Sequence, residues 1–484
     1  MKRYGLFING EWTHALQGEF YEVTNPATGE IVGVCADGDE GDVERAVSAA
    51  HQAFPVWANR TARERADILR RSYELIVSHK DELGEIMTLE QGKPLAEAYA
   101  EVQYAADFVE WSGEEAKRIY GETIPASSPD KRIWVHKQPV GVAAAITPWN
   151  FPASMITRKI APALAAGCPV IIKPAEQTPL TACRLVELFQ EAGVPKGVIN
   201  LITSTRAPSV GSAMLADERV RKIGFTGSTE VGKILMKQAA DTMKKVSLEL
   251  GGHAPFIVFA DAELDRAADE VIASKFRNAG QTCVCANRIY VEESIGNAFA
   301  ERLAQRAKKL KMGNGLEKDV SIGPLIDGNA ADKVEGQVKD AINKGAEVIA
   351  GGHRHTKVGK NPGEKAHFFE PTVLLQVTDE MEIMQEETFG PVAPIQFFNS
   401  EEEVVKKANN NRYGLAAYFY TQDLARAIRV AEGLEFGIVG VNDGAPSTAQ
   451  APFGGFKESG LGREGGKYGV EEFLETKYIS VNIK

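Results

Sequence analysis

Residues 141–202 read GVAAAITPWNFPASMITRKIAPALAAGCPVIIKPAEQTPLTACRLVELFQEAGVPKGVINLI. The short apolar runs GVAAAIT (141–147), PVIIK (169–173) and VINLI (198–202) alternate with helix-like segments such as 178–192. Runs that stay apolar through successive positions suit strands covered on both faces, the condition of a parallel sheet flanked by crossover helices. KIGF (222–225) and FIVF (256–259) continue the series, with a helical pattern at 229–241 between them. A doubly wound α/β domain is expected. A second alternation over about 265–450, with apolar runs RIYV, EVIAG, TVLLQ, PVAPIQF and IVGVN, predicts a second α/β lobe.

Outward from that region, Asn9-Gly10 signals a hairpin turn and Asn25-Pro26 a second reversal. Helices are expected from there to about residue 120; Thr61 and Glu64 form a T-x-x-E capping box ahead of the helical spacing Ile68/Leu69, Ser72/Tyr73, Leu75/Ile76. A chain of 484 residues exceeds one comfortable core, so several lobes agree with its length. Its 44% hydrophobic and 25% charged residues are those of a globular protein, and a net charge of −11 without a basic stripe disfavours nucleic acid. No apolar stretch reaches the ~18 residues of a spanning helix, and the N-terminus lacks a signal-peptide core, so a cytoplasmic protein with no membrane partner is expected. Five scattered cysteines argue for reduced thiols rather than a disulfide framework. The polar segment Gly351–Lys365 reads as a surface loop; its His353 and His355 have no companion ligands at metal-binding spacing, so no metal is expected.

Two glycine motifs are ambiguous. Gly460-Leu-Gly462-Arg-Glu-Gly465 fits G-x-G-x-x-G but follows a turn-rich stretch rather than a strand. Gly227-Ser-Thr-Glu-Val-Gly232-Lys233 resembles a P-loop, yet Ile234 stands where a hydroxyl is required. The latter does follow a strand and open a helix, so its amides could still meet a pyrophosphate.

Cys283 by itself would read as a small buried apolar residue. It lies, however, in an ordered set of segments: PWNFP (148–152), IIKPAEQTP (171–179), FTGSTEVG (225–232), LELGG (248–252), GQTC (280–283), EETFGPV (386–392) and PFGG (452–455). Together these resemble the aldehyde dehydrogenase superfamily along essentially the whole chain. The resemblance implies that the Cys283 thiolate attacks an aldehyde to give a thiohemiacetal, which loses hydride to a nicotinamide and leaves a thioester for water to hydrolyse. It makes Asn150 the oxyanion donor and Glu249 the general base for the thiol, the water or both. Lys173 and Glu176 would hold the adenosine ribose, the Glu176 carboxylate favouring NAD over NADP, with NADP still possible. Glu387 and Phe389 match residues at the nicotinamide ribose, and Thr147, Trp149, Gly227, Ser228 and Leu250 complete the cofactor contacts.

The segments MITRK (155–159), FRNAGQTCVCANR (276–288) and the C-terminal SGLGREGGKYGVEEFLETKY are most similar to succinate-semialdehyde dehydrogenases. That likeness makes Arg158, Arg277 and Ser447 a clamp for a substrate carboxylate, which paired guanidinium groups suit by forked hydrogen bonding. It implies an anionic short-chain aldehyde: succinate semialdehyde first, then glutarate semialdehyde or 3-sulfolactaldehyde. A broad-range aldehyde dehydrogenase, an acyl transfer to coenzyme A and an inactive binding homologue remain alternatives. The family architecture implies a Rossmann-like NAD-binding domain (1–120 and 141–251), a catalytic domain (252–449) and a small β oligomerisation arm (121–140 and 468–484). A homodimer or homotetramer follows. Cys285, two residues past the nucleophile, is either a partner in a strained, reducible disulfide or a packing residue.

Overall fold

The computed structural model of the chain describes residues 2–355, 357–358 and 366–484. Positions 356 and 359–365 of the Gly351–Lys365 loop lie outside the described residues.

The apolar runs of the opening stretch form the middle of an eight-stranded sheet. Val142–Ile146 is flanked in parallel by Val170–Lys173 and Val220–Thr226, and Ile199–Leu201 and Lys245–Glu249 extend the sheet on either side. The chain winds first to one side of Val142–Ile146 and then to the other, so a crevice opens at the carboxyl ends of Val142–Ile146 and Val220–Thr226, where such sheets bind ligands. The helix Ser154–Ala166 beneath it is buried at every residue. Leu6–Ile8 and Glu11–Thr13 close one edge as the expected hairpin, with Asn9 and Gly10 at φ 54° and 78°. Gly460–Leu461 pairs antiparallel with Lys245–Glu249 at the other edge. The G-x-G-x-x-G motif is therefore an edge strand and its turn, not a phosphate loop.

The second lobe is a seven-stranded sheet in the spatial order Glu347–Ala350, Thr372–Leu375, Val392–Phe398, Ala286–Glu292, Ala254–Val258, Ala416–Tyr420, Ile438–Val441, parallel except at Glu347–Ala350. This corrects one sequence expectation. FIVF belongs to this sheet through Ala254–Val258, and the fifth parallel strand of the first sheet is Lys245–Glu249. Both strands are buried at their carboxyl-terminal ends, and an apolar run does not record which sheet it joins.

Glu122–Ile124, Lys131–Pro139 and Leu474–Asn482 build a separate three-stranded antiparallel sheet whose residues are mostly exposed. At the N-terminus, Thr61 and Glu64 make the reciprocal capping box of the helix Ala62–Ser78. His355 of the Gly351–Lys365 loop lies in a two-residue strand and bonds Glu370 through Nε2 at 2.9 Å. Among the described residues no group of three His, Cys, Asp or Glu side chains is placed to hold a metal ion, and no helix is long and apolar enough to cross a membrane.

Candidate active site

Cys283 is presented by a short irregular segment. Asn278 and Ala279 adopt left-handed backbone angles (φ 52° and 53°), followed by Gly280 at φ 74°. A side chain on Gly280 would meet the Gly390 carbonyl oxygen at 2.1 Å, and one on Gly252 would meet that of Cys283 at 2.2 Å. The glycines of GQTC and LELGG thus allow three strand ends to close around the thiol.

Cys283 lines a cavity of about 320 Å³ together with Phe151, Arg158, Arg277, Ser447 and Phe453. Burial pushes its thiol up to about 12, the Arg158 charge opposing this and the Glu387 and Glu249 carboxyls adding to it. The resting sulfur is therefore protonated and needs a base. Glu249, the last residue of Lys245–Glu249, is buried, and neither of its carboxyl oxygens has a hydrogen-bond partner among the described residues. Burial, then the nearby Glu464 charge, raises its proton affinity well above the ordinary carboxylate range. Once ionised, such a carboxylate is a stronger base than an exposed one.

Asn150 follows Val142–Ile146 by way of the turn TPWN. Its Nδ2 donates to the Gln281 carbonyl at 3.0 Å, which uses one amide hydrogen and leaves the second for an oxyanion.

The two arginines differ. Arg158, on the buried helix Ser154–Ala166, pairs with Glu464 at 2.7 Å and lies 3.8 Å from the centre of the Phe453 ring. Lys159 pairs with the other oxygen of Glu464. Arg277 is exposed, lies over Phe151 at 5.4 Å, and has no hydrogen bond or ion pair among the described residues. Sequence reasoning missed Glu464, which sits inside the discarded glycine motif some 300 positions from its partners; only the fold brings it there.

The cofactor candidates gather at the crevice. Lys173 ends its strand and bonds Glu176 Oε2 at 3.2 Å. The Ser228 hydroxyl accepts from Val231 N at 3.3 Å and caps the helix Thr229–Ala240; Gly227 N donates to the Glu249 carbonyl at 3.1 Å. Leu250 packs against Gly232 of that helix so closely that an added side chain there would meet it at 2.4 Å. The buried Thr147 hydroxyl has no hydrogen-bond partner among the described residues. Trp149 and Phe389 meet edge to face at 5.6 Å. Glu387 Oε1 accepts from Gly252 N at 3.0 Å, and burial pushes its carboxyl up to about 7. Cys285 is buried and free; its thiol donates to the Gly280 carbonyl at 3.3 Å and receives Lys275 Nζ at 3.6 Å.

The sequence matches the model of the aldehyde dehydrogenase family over residues 12–479. It is 54% identical to a glutarate-semialdehyde dehydrogenase of Pseudomonas putida, over 99% of this chain and 98% of the other. A succinate-semialdehyde dehydrogenase of Escherichia coli, whose name gives NADP(+) as cofactor, is 54% identical over the same shares. A 3-sulfolactaldehyde dehydrogenase of Pseudomonas putida is 55% identical over 98% of this chain and 96% of its own. A solved succinate-semialdehyde dehydrogenase of Burkholderia pseudomallei superposes with a TM-score of 0.96 at 51% identity, covering 99% of this chain and 98% of that one. By its sequence match, its two α/β sheets and its full-length likeness to these enzymes, the chain belongs to the aldehyde dehydrogenase family.

Proposed function

We propose that the chain carries out the NAD(P)-dependent oxidation of a short aldehyde with an anionic far end, succinate semialdehyde in the first place, to the carboxylic acid. The observation that carries this reading is the unpaired Arg277 guanidinium opening into the same cavity as the Cys283 thiol. A guanidinium with no ion pair or hydrogen bond of its own among the described residues, beside a nucleophile, is suited to hold a carboxylate or sulfonate while the aldehyde end reacts. Ser447 on the same wall supplies a hydroxyl, and Arg158 a second guanidinium already braced by Glu464. Glutarate semialdehyde and 3-sulfolactaldehyde present the same kind of anion.

The residues at the crevice fit a dinucleotide. The helix Thr229–Ala240 begins at the carboxyl end of its strand with Gly227 and Ser228, where a pyrophosphate is favoured, and Lys173 and Glu176 stand at the end of Val170–Lys173, on the far side of Val142–Ile146, for a ribose. The Thr147 hydroxyl adds a buried group with no hydrogen-bond partner among the described residues. When bound, the nicotinamide supplies the hydride acceptor. Glu249 takes the thiol proton, Cys283 Sγ adds to the carbonyl carbon, and Asn150 Nδ2 donates to the oxygen that becomes negative. After oxidation Cys283 holds the acyl group as a thioester, and Glu249, having passed the thiol proton on to solvent, deprotonates the water that releases it. Residues 1–120 and 141–251 serve as the NAD-binding domain, 252–449 as the catalytic domain, and 121–140 with 468–484 as an oligomerisation arm in a cytoplasmic homodimer or homotetramer. The Glu176 carboxylate favours NAD over NADP.

The test is Arg277→Ala. Loss of one charge-assisted contact of about 1.5–3 kcal/mol should raise KM for succinate semialdehyde roughly tenfold to a hundredfold. KM for butanal should stay near that of the parent. An equal rise for both removes the carboxylate assignment, and product formation that requires coenzyme A removes the hydrolytic one.

A further inference from the structure

A buried ion pair lies behind Asn150 that the reaction above does not use. Lys93 sits between the helices Lys80–Gln91 and Leu95–Ala116 and is 1% exposed. Its Nζ pairs with Glu101, donates to the Asn150 backbone carbonyl at 2.8 Å, and stands 3.9 Å from the centre of the Phe151 ring. Glu101 extends the same brace: Oε1 accepts from Ala153 N at 2.9 Å and Ser154 N at 3.2 Å, at the start of the helix Ser154–Ala166. From the nucleophile's side, Asn278 Nδ2 donates to the same Asn150 carbonyl at 2.9 Å, and Glu97 Oε2 accepts from Asn278 N at 2.7 Å. The short segment Asn150–Ser154 is thereby held at its carbonyl by a lysine and at its amides by the lysine's counter-ion.

Taking a lysine and a glutamate out of water is costly, and apolar replacements of such pairs are often neutral or stabilising. Global stability is thus a poor reason for this pair, and its contacts are with the residue whose side chain faces the developing oxyanion. We propose that Lys93 and Glu101 are positioning residues for the reaction: they fix the Asn150 backbone so that Nδ2 keeps one hydrogen on Gln281 and aims the other at the carbonyl oxygen on Cys283. This inference rests on Asn150 acting as the oxyanion donor. A displacement of about 1 Å in such a donor is enough to cost roughly a hundredfold in rate.

The experiment needs no nicotinamide. Acylation of Cys283 by p-nitrophenyl acetate develops an oxyanion, whereas its alkylation by iodoacetamide does not. Glu101→Gln keeps an acceptor for Ala153 and Ser154 but leaves Lys93 buried without its counter-ion, so acylation should slow selectively, by less than in the double variant. The pair K93M/E101Q removes both charges together and withdraws the lysine donor. It should slow acylation about tenfold or more, with alkylation within about twofold, and add no further loss on top of Asn150→Ala. Asn278→Ala, which withdraws the second donor from the same carbonyl and leaves the pair intact, should also slow acylation selectively, and it serves as the test if the double variant does not fold. Parental acylation in these variants, or acylation and alkylation falling in proportion, overturns the inference alone. Parental acylation in Asn150→Ala overturns the oxyanion role of Asn150 and the inference with it.

Discussion

A carboxyl group whose two oxygens are both out of water and, among the described residues, unbonded, as those of Glu249 are, has its proton affinity raised above that of the unfolded chain. Its sign in stability follows. A raised carboxyl leaves the fold unburdened below the unfolded value and costs stability progressively as pH rises toward the folded one, because unfolding then releases a proton. Replacing it with a neutral amide of the same shape removes that dependence. Glu249→Gln should therefore raise the thermal midpoint more at pH 8 than at pH 5, and a gain that shrinks with pH would refute the raised proton affinity. On the proposed reading, cofactor choice also belongs to a single side chain. A carboxylate at Glu176, tied to Lys173, repels a 2′-phosphate, so Glu176→Ser should raise kcat/KM for NADP relative to NAD. An unchanged ratio would remove Glu176 from that choice, a comparison made pointed by the NADP(+) in the name of a relative 54% identical.

At the scale of elements, the segment carrying Cys283 stores local strain. Ala279 is left-handed without the freedom of glycine, at a cost of roughly 1–2 kcal/mol, while Gly280 has no room for a side chain. Ala279→Gly should raise stability or leave it unchanged with activity kept; Gly280→Ala should push the segment off Gly390 and abolish acylation. Thermal unfolding and ester hydrolysis of both variants check this. The legibility of the fold also divides by element. The Asn9-Gly10 turn and the Thr61/Glu64 cap are local chemistry, written in adjacent residues, and both were readable. The parallel strands were visible as apolar runs, but FIVF and KVSLE were not assignable to a sheet, because partner choice depends on crossover packing distant in the chain. Arg158 and Arg277 could be picked out by motif. That one is braced by Glu464 and the other unpaired is a property of three-dimensional neighbours, as is the Lys93–Glu101 support behind Asn150.

At the scale of the molecule, the three-stranded sheet of Glu122–Ile124, Lys131–Pro139 and Leu474–Asn482 leaves Trp134 41% and Tyr478 62% exposed. A small sheet with large apolar groups open to water is suited to burial against a second copy. Trp134→Glu combined with Tyr478→Glu should lower the molar mass measured by light scattering; an unchanged mass would exclude this sheet from the interface.

The strand Gly460–Leu461 and the carboxylate of Glu464 are synthesised long after residues 158–249, yet they complete a sheet and a charge cluster to which those residues belong. Until residues 460–464 leave the ribosome, Lys245–Glu249 is an open sheet edge and Arg158 and Lys159 lack the Glu464 carboxylate. A translating complex stalled before residue 460 therefore carries a half-closed first lobe, exposed to chaperones and to other nascent chains. Readiness to react is thus conferred only once residues 460–464 have joined the first lobe.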